Sequence, residues 1–434
     1  MHTTFVNVFT HPARVAMLGA LCAAVAACGG GGNSDPVPTP GPAPAPSPAP
    51  APAPAPASRW IRVLSSPVAE EPAVLVGPNW FASAMGTGIL ANAGALLPVT
   101  FPGQTAITTF FWVLSAIILI GLTISVPLHW LRTPGAWRRI VDDPALVQFF
   151  GAPPMAFMTV GTATLVVGQH WLDETAAVNI DWVLWTIGTI LGLATAVLVP
   201  YRLFTQLDVR HDGAFGGWLM PVVPPMVSAA SGALLVPYAP AGELRQTMLM
   251  ACYAMFGMSL IVSIIIITLI WSRLAHFGSS GSARVPTLWI VLGPVGQSIT
   301  AAGALGFSAA TAVAVPLATA LNLFAIMYGV PMWGFMLLWM CLATLLTVRA
   351  LRRKMPFALT WWSFTFPIGT CVTGTSQLAK HTGLSIFVAF SVVLFALLLL
   401  AWVAVAIQTW RGSRSGGPLL TPPLNPPPAV ASKG

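Results

Sequence analysis

Residues 361–377 read WWSFTFPIGTCVTGTSQ, an apolar stretch broken by Pro367 and loaded with Gly369, Thr370, Thr373 and Gly374. On a helix, Phe366, Gly369, Thr370, Thr373 and Gln377 fall at i, i+3, i+4, i+7 and i+11 and share one face. Phe364, Ile368 and Cys371 share another, apolar face. Pro367 cannot donate to the carbonyl of Ser363, and its ring crowds it, so a kink is expected there. In lipid, such irregularity survives where it packs in protein or lines an aqueous cavity. Two readings stand open: a small-residue helix–helix contact, or one wall of a permeation path with Phe366 standing in it.

The rest of the chain says what kind of molecule carries this stretch. Its 434 residues are 56% hydrophobic and 7% charged, the composition of a polytopic membrane protein. Apolar spans long enough to cross a bilayer, about 18 residues or more, can be placed at 78–97, 106–130, 150–169, 181–204, 217–237, 246–272, 287–307, 316–350, 358–380 and 384–409. The eighth is long enough to project beyond the membrane and is expected to bend at Gly329 or Pro331. Even-numbered spans are smooth runs of Leu, Ile and Val. Odd-numbered spans carry the breakers: Pro78 with Gly86, Thr87 and Gly88; Pro153 and Pro154; Pro221, Pro224 and Pro225; Pro294 with Gly293 and Gly296; and Pro367.

Pro78, Pro153, Pro224, Pro294 and Pro367 are separated by 75, 71, 70 and 73 residues. A period this long and this constant marks a duplicated unit, here a helical hairpin. The expected fold is an all-α membrane protein, ten transmembrane helices as five hairpins around a central pore, broken helices inside and smooth ones facing lipid. The small polar stripe recurs in the seventh span as Gly293, Gly296, Gln297, Thr300 and Gly303. In the fifth it recurs as Pro221, Pro224, Pro225, Ser228, Ser231 and Gly232. In the first and third spans the spacing leaves the face open.

Charge gives an orientation. Of the 19 Lys and Arg residues, 17 fall in the N-terminal segment or after even-numbered spans, and only Arg245 and Lys380 lie opposite. Basic residues stay cytoplasmic, so both termini are expected inside, and the basic excess reads as topology, not nucleic-acid binding. The ends are less regular. Residues 1–28 look like a secretory leader closing on Val25-Ala26-Ala27-Cys28, similar to the lipobox of bacterial lipoproteins. Residues 29–75 are Gly-, Pro- and Ala-rich, expected to be disordered, and 411–434 read as a disordered cytoplasmic tail. An exported, acylated Cys28 conflicts with cytoplasmic basic loops, so the leader is set aside. A lipid-anchored scaffold, motivated only by Cys28 and the tether, is the weakest reading of function.

The acidic residues narrow the chemistry. All eleven, from Asp35 to Glu243, are placed outside span interiors, with Asp181 at the start of the fourth span as the nearest case. Cation sites and proton relays put carboxylates at mid-membrane. A neutral lining of hydroxyls, amides and Gly-exposed backbone suits anions, helped by partial charge at helix breaks. Cys252, Cys341 and Cys371 read as buried thiols, and His129, His170, His211, His276 and His381 as interfacial, solvated side chains. Nothing implies a metal, a cofactor or an enzyme: H-E-x-x-H, G-x-S-x-G and paired membrane carboxylates are absent from the sequence. Gly188 and Gly192 offer a G-x-x-x-G face for subunit contact.

GPNWFASAMGTGIL (77–90), PVVPPMVSAASGALL (221–235), GPVGQS (293–298), YGVPMWGF (328–335) and WWSFTFPIGT (361–370) resemble the tellurite-resistance/dicarboxylate transporter family over about residues 76–410. That family, also called the voltage-dependent anion channel family, includes plant slow anion channels, fungal malate permeases and sulfite efflux pumps. The resemblance implies ten helices in five hairpins around a pore in each subunit, a homotrimer in the lipid bilayer, and permeation of small anions. Such anions include malate, sulfite, halide, nitrate and tellurite oxyanions. It also implies a pore-occluding phenylalanine on the ninth helix, which WWSFTFP places at Phe366. The expected pore lining is Gly86, Thr87, Gly88, Pro153, Pro154, Pro224, Pro225, Ser228, Gly293, Pro294, Gly296, Gln297, Thr300, Pro367, Gly369, Thr370 and Thr373. The expected location is the bacterial inner membrane. The runner-up function is a proton-coupled C4-dicarboxylate carrier, whose titrating group would be the substrate or an interfacial histidine.

Overall fold

A computed structural model describes residues 76–279 and 282–414. The leader with Cys28, the Pro/Ala tether and the tail beyond 414 lie outside the described residues. Among the described residues there are ten helices of 12 or more residues and one short connecting helix. In chain order they are α1 (Phe81–Ala95), α2 (Gln104–Arg132), α3 (Ala136–Val141), α4 (Ala152–Val166), α5 (Glu174–Thr205) and α6 (Pro224–Leu235), then α7 (Glu243–Phe277), α8 (Leu292–Ala312), α9 (Val315–Arg352), α10 (Phe366–Thr382) and α11 (Ser385–Gly412). No strand occurs among the described residues.

The helices pair as the proline period predicts: α1 with α2, α4 with α5, α6 with α7, α8 with α9 and α10 with α11. The first member of each pair packs on its neighbours in the order α1, α4, α6, α8, α10 and back to α1, closing a ring of five. Each second member lies outside, packed on its own partner and on the next helix of the ring. One outer helix returns the chain between successive ring helices, so all five ring helices run in the same direction. The two classes differ sharply in exposure. The α8 span is buried along 100% of its most apolar window, the α5 span along only 17%. Ile117, Ile120 and Ile124 on α2, and Val393 and Leu400 on α11, are each more than 60% exposed, an arrangement stable only against lipid.

The prolines do not kink these helices; they begin them. Pro367 occupies the first turn of α10, as Pro153 and Pro154 do in α4 and Pro224 and Pro225 in α6. A proline in the first turn forgoes an N–H that would have no intrahelical partner anyway. Ahead of the ring helices run 3-10 segments, including Pro78–Trp80, Val147–Gly151, Ser282–Val291 and Leu359–Phe364. This shortens the inner helices. Seven stretches are long and apolar enough to cross a bilayer, whereas α1, α6 and α10, at 15, 12 and 17 residues, fall below 18. Ten spans of that length each are therefore not present, although the five hairpins are.

Three local expectations change. α9 runs unbroken through Gly329 and Pro331 for 38 residues, about 57 Å at 1.5 Å per residue; Gly329 lies where Leu378 of α10 comes close. Gly188 and Gly192 pack within the subunit, against Met158 and Pro154 of α4 and Pro224 of α6, so that face is not left for a second copy. Cys341 is exposed on the outside of α9, while Cys252 and Cys371 are buried.

Candidate functional site: a closed path through the helix ring

Two small cavities lie inside the ring, and Phe366 lines both. The first, about 20 Å³, is built by the starting ends of all five ring helices. Ala82 and Met85 come from α1, Phe149 from the approach to α4 and Met155 from its first turn, and Met220 and Val223 from the approach to α6. Gly293 and Pro294 come from α8, and Trp362, Ser363 and Pro367 from around the start of α10. Helix N-termini carry partial positive charge, about half an elementary charge each. Five converge here, and no carboxylate lines the cavity.

The second cavity, about 40 Å³, lies on the other side of Phe366. Its polar wall is Asn92, Thr159, Thr162, Ser231, Gln297, Thr300 and Thr373, completed by aliphatic side chains such as Ile89, Leu96 and Val227. Most of its hydroxyl protons are engaged by the helices' own backbone. Thr159 donates to Met155 O at 2.6 Å and Ser231 to Val227 O at 2.6 Å. Thr300 and Thr373 share a 2.7 Å contact across the α8–α10 seam. The amides are different. Asn92 donates from Nδ2 to Thr159 O at 3.1 Å, while its Oδ1 is buried without a partner, as is Gln297 Oε1. At roughly 10–15 Å³ per water, neither cavity admits more than a few waters. Phe366, only 3% exposed, stands between the two cavities.

Of the residues expected to line a path, Phe366, Gly293, Pro294, Pro367, Gln297, Thr300 and Thr373 border the cavities. Most of the others pack against neighbouring helices, some within the ring and some against the outer layer. Gly369 abuts Ile89 of α1, and Gly296 abuts the Thr370–Cys371 backbone. Thr370 donates to Pro367 O at 2.7 Å and also reaches Leu292 O. Gly86 lies against Thr365 and Trp362, and Gly88 against Thr159 and Ser115. Thr87 accepts from Trp402 Nε1 at 3.0 Å on the outer side of α1. Ser228 faces α5, contacting Thr189 Oγ1 at 3.1 Å and Met158 Sδ at 3.0 Å. Pro154 and Pro224 pack on Gly192. Pro153 and Pro225 border neither cavity.

Two titratable residues depart from the sequence expectation. α5 begins seven residues earlier than expected, so Asp181 lies inside it, fully buried against Gly161 of α4 with neither carboxylate oxygen hydrogen-bonded. It borders neither cavity. His381 is not freely solvated. Its ring nitrogens lie 3.2 Å from Asn322 Oδ1 and 3.0 Å from Gly303 O, and it stacks on Phe307 at 3.8 Å. No cluster of metal-ligating side chains occurs among the described residues.

Comparison with known proteins agrees with this architecture. The profile of the voltage-dependent anion channel family matches residues 76–410. A sulfite efflux pump of Trichophyton rubrum is 30% identical over 316 residues, 70% of this chain and 82% of the pump. An uncharacterized transporter of Methanocaldococcus jannaschii is 26% identical over 339 residues, 78% of this chain and 95% of the relative. The malic acid transport protein of Schizosaccharomyces pombe is 21% identical over 338 residues, 75% of each chain.

Proposed function

We propose that this chain, which belongs to the voltage-dependent anion channel family, carries sulfite or a small dicarboxylate such as malate through the centre of its helix ring, with Phe366 as the gate. The observation that carries the reading is the cavity at which five helix N-termini meet, bounded on its far side by Phe366 and free of carboxylates. Partial positive charge draws an anion to the ring's entrance. The apolar ring then blocks it, because an ion passing there sheds water with no polar group to replace it. The names of the relatives, sulfite efflux pump and malic acid transport protein, supply the substrate classes.

The membrane setting completes the proposal. All ten long helices cross a plasma membrane, the shorter ring helices finishing their crossing through their 3-10 leads, with both termini cytoplasmic and the subunits assembled as a trimer. In a trimer of this kind each subunit conducts through its own ring. Proteoliposomes holding the purified full chain test the core of it, with sulfite, malate, chloride and nitrate assayed separately under an imposed potential. Protein-dependent flux of at least one of the first two supports the reading. Flux of sodium or potassium with no anion flux contradicts it.

A further inference from the structure

The second cavity contains an acceptor that an ordinary anion cannot use. Asn92 is held in one orientation, because Nδ2 donates to Thr159 O at 3.1 Å and a flipped amide would set two oxygens against each other. Its Oδ1 is thereby left in the cavity wall, buried, with no partner. A buried acceptor without a donor is unfavourable by about 1–3 kcal/mol, and a bare halide, nitrate or dianion would repel it further. Donors are present beside it. Thr162 makes no hydrogen bond to the protein among the described residues, and neither does the Gln297 amide, whose Oε1 is recorded as unpartnered.

We infer that this cavity recognises a small monoanion that still carries an O–H, hydrogensulfite, with Asn92 Oδ1 accepting its proton and Gln297 and Thr162 donating to its charged oxygens. This rests on the anion-transport reading and deepens it. The substrate then carries its own proton across, and no side chain has to titrate. None of the residues lining the cavity is titratable. Asp181 packs behind α4 on Gly161, and Lys380 and His381 stand two turns beyond Thr373 at the end of α10, where His381 is tied to Gly303 and Asn322. The pH dependence of transport therefore belongs to the substrate.

The test sweeps pH across the second ionisation of sulfurous acid at constant total sulfite in proteoliposomes of the full chain, with chloride flux as the reference at each pH and protein-free liposomes subtracted. The sulfite-to-chloride flux ratio is expected to fall in proportion to hydrogensulfite. Asn92→Leu is expected to lower that ratio about tenfold at low pH, the scale of one hydrogen bond to a charged partner, and to flatten its pH dependence. Gln297→Leu lowers both fluxes and leaves the pH dependence in place. A ratio that is flat or rises with the dianion overturns the inference, whether or not Asn92→Leu folds, and leaves anion transport standing. Absence of flux for sulfite, malate and chloride alike overturns both.

Discussion

The ring helices and the helices that surround them are built from similar apolar compositions yet obey opposite rules. α8 is buried throughout its span and gathers Gly, Ser, Thr and Gln, whereas α5 buries little of its span and is rich in Leu, Ile and Val. A helix that meets only lipid gains by large side chains. A helix that must touch two ring neighbours and leave a passage gains by small ones, and tolerates polar groups because protein surrounds them. The difference predicts that equal chemical changes have unequal consequences in the two layers.

The largest effect is expected at Phe366. Replacing it with alanine removes the one side chain bordering both cavities, and anion flux should rise by about tenfold or more as the dewetted block disappears. Flux at the wild-type level would remove the gate from the account. A seam residue should behave differently. Gly369→Val places a branched side chain into Ile89, an overpacking of about 1–3 kcal/mol or more, seen as lost monodispersity in detergent or a lowered Tm. If Gly369→Val instead folds normally and blocks flux, that position faces the path.

How much of this was legible in the sequence follows from the same contrast. The proline period fixed the hairpins, because a breaker must recur wherever the duplicated helix begins. It misplaced the event, reading a kink where the chain starts a new helix. Of the stripe Phe366, Gly369, Thr370, Thr373 on α10, only Phe366 and Thr373 border a cavity. Successive residues turn about 100°, and two ring neighbours occupy much of each helix's circumference. A stripe three residues wide therefore spans both seam and passage. Asn92 leaves a signal of another kind, a lone amide in an apolar span that is no helix breaker. Asp181, expected at the start of its span, lies seven residues inside α5, because the helix begins at Glu174 behind an Asp173 cap.

Two smaller effects sharpen the comparison further. Phe364, two residues before the gate, is half-buried in the 3-10 lead with its ring 5.5 Å from Trp289 and 5.8 Å from Trp361. Phe364→Ala should therefore cost stability, about 2 kcal/mol against the larger loss for a fully buried Phe, with flux per folded channel unchanged. Raised flux there would exchange the roles of the two phenylalanines. On the lipid side, Ile120→Ala on α2, at a site 61% exposed, should change thermal stability by no more than about 0.5 kcal/mol. A marked loss at that site would mean that α2 is covered by protein in the assembled molecule.

The central claim is that the passage through the ring is made for anions. Its most direct test is the reversal potential of Phe366→Ala in a planar bilayer under a salt gradient, where the opened path gives measurable current. The account predicts a potential that follows the anion gradient and is indifferent to exchanging sodium for potassium. A reversal potential that follows the cation would contradict it.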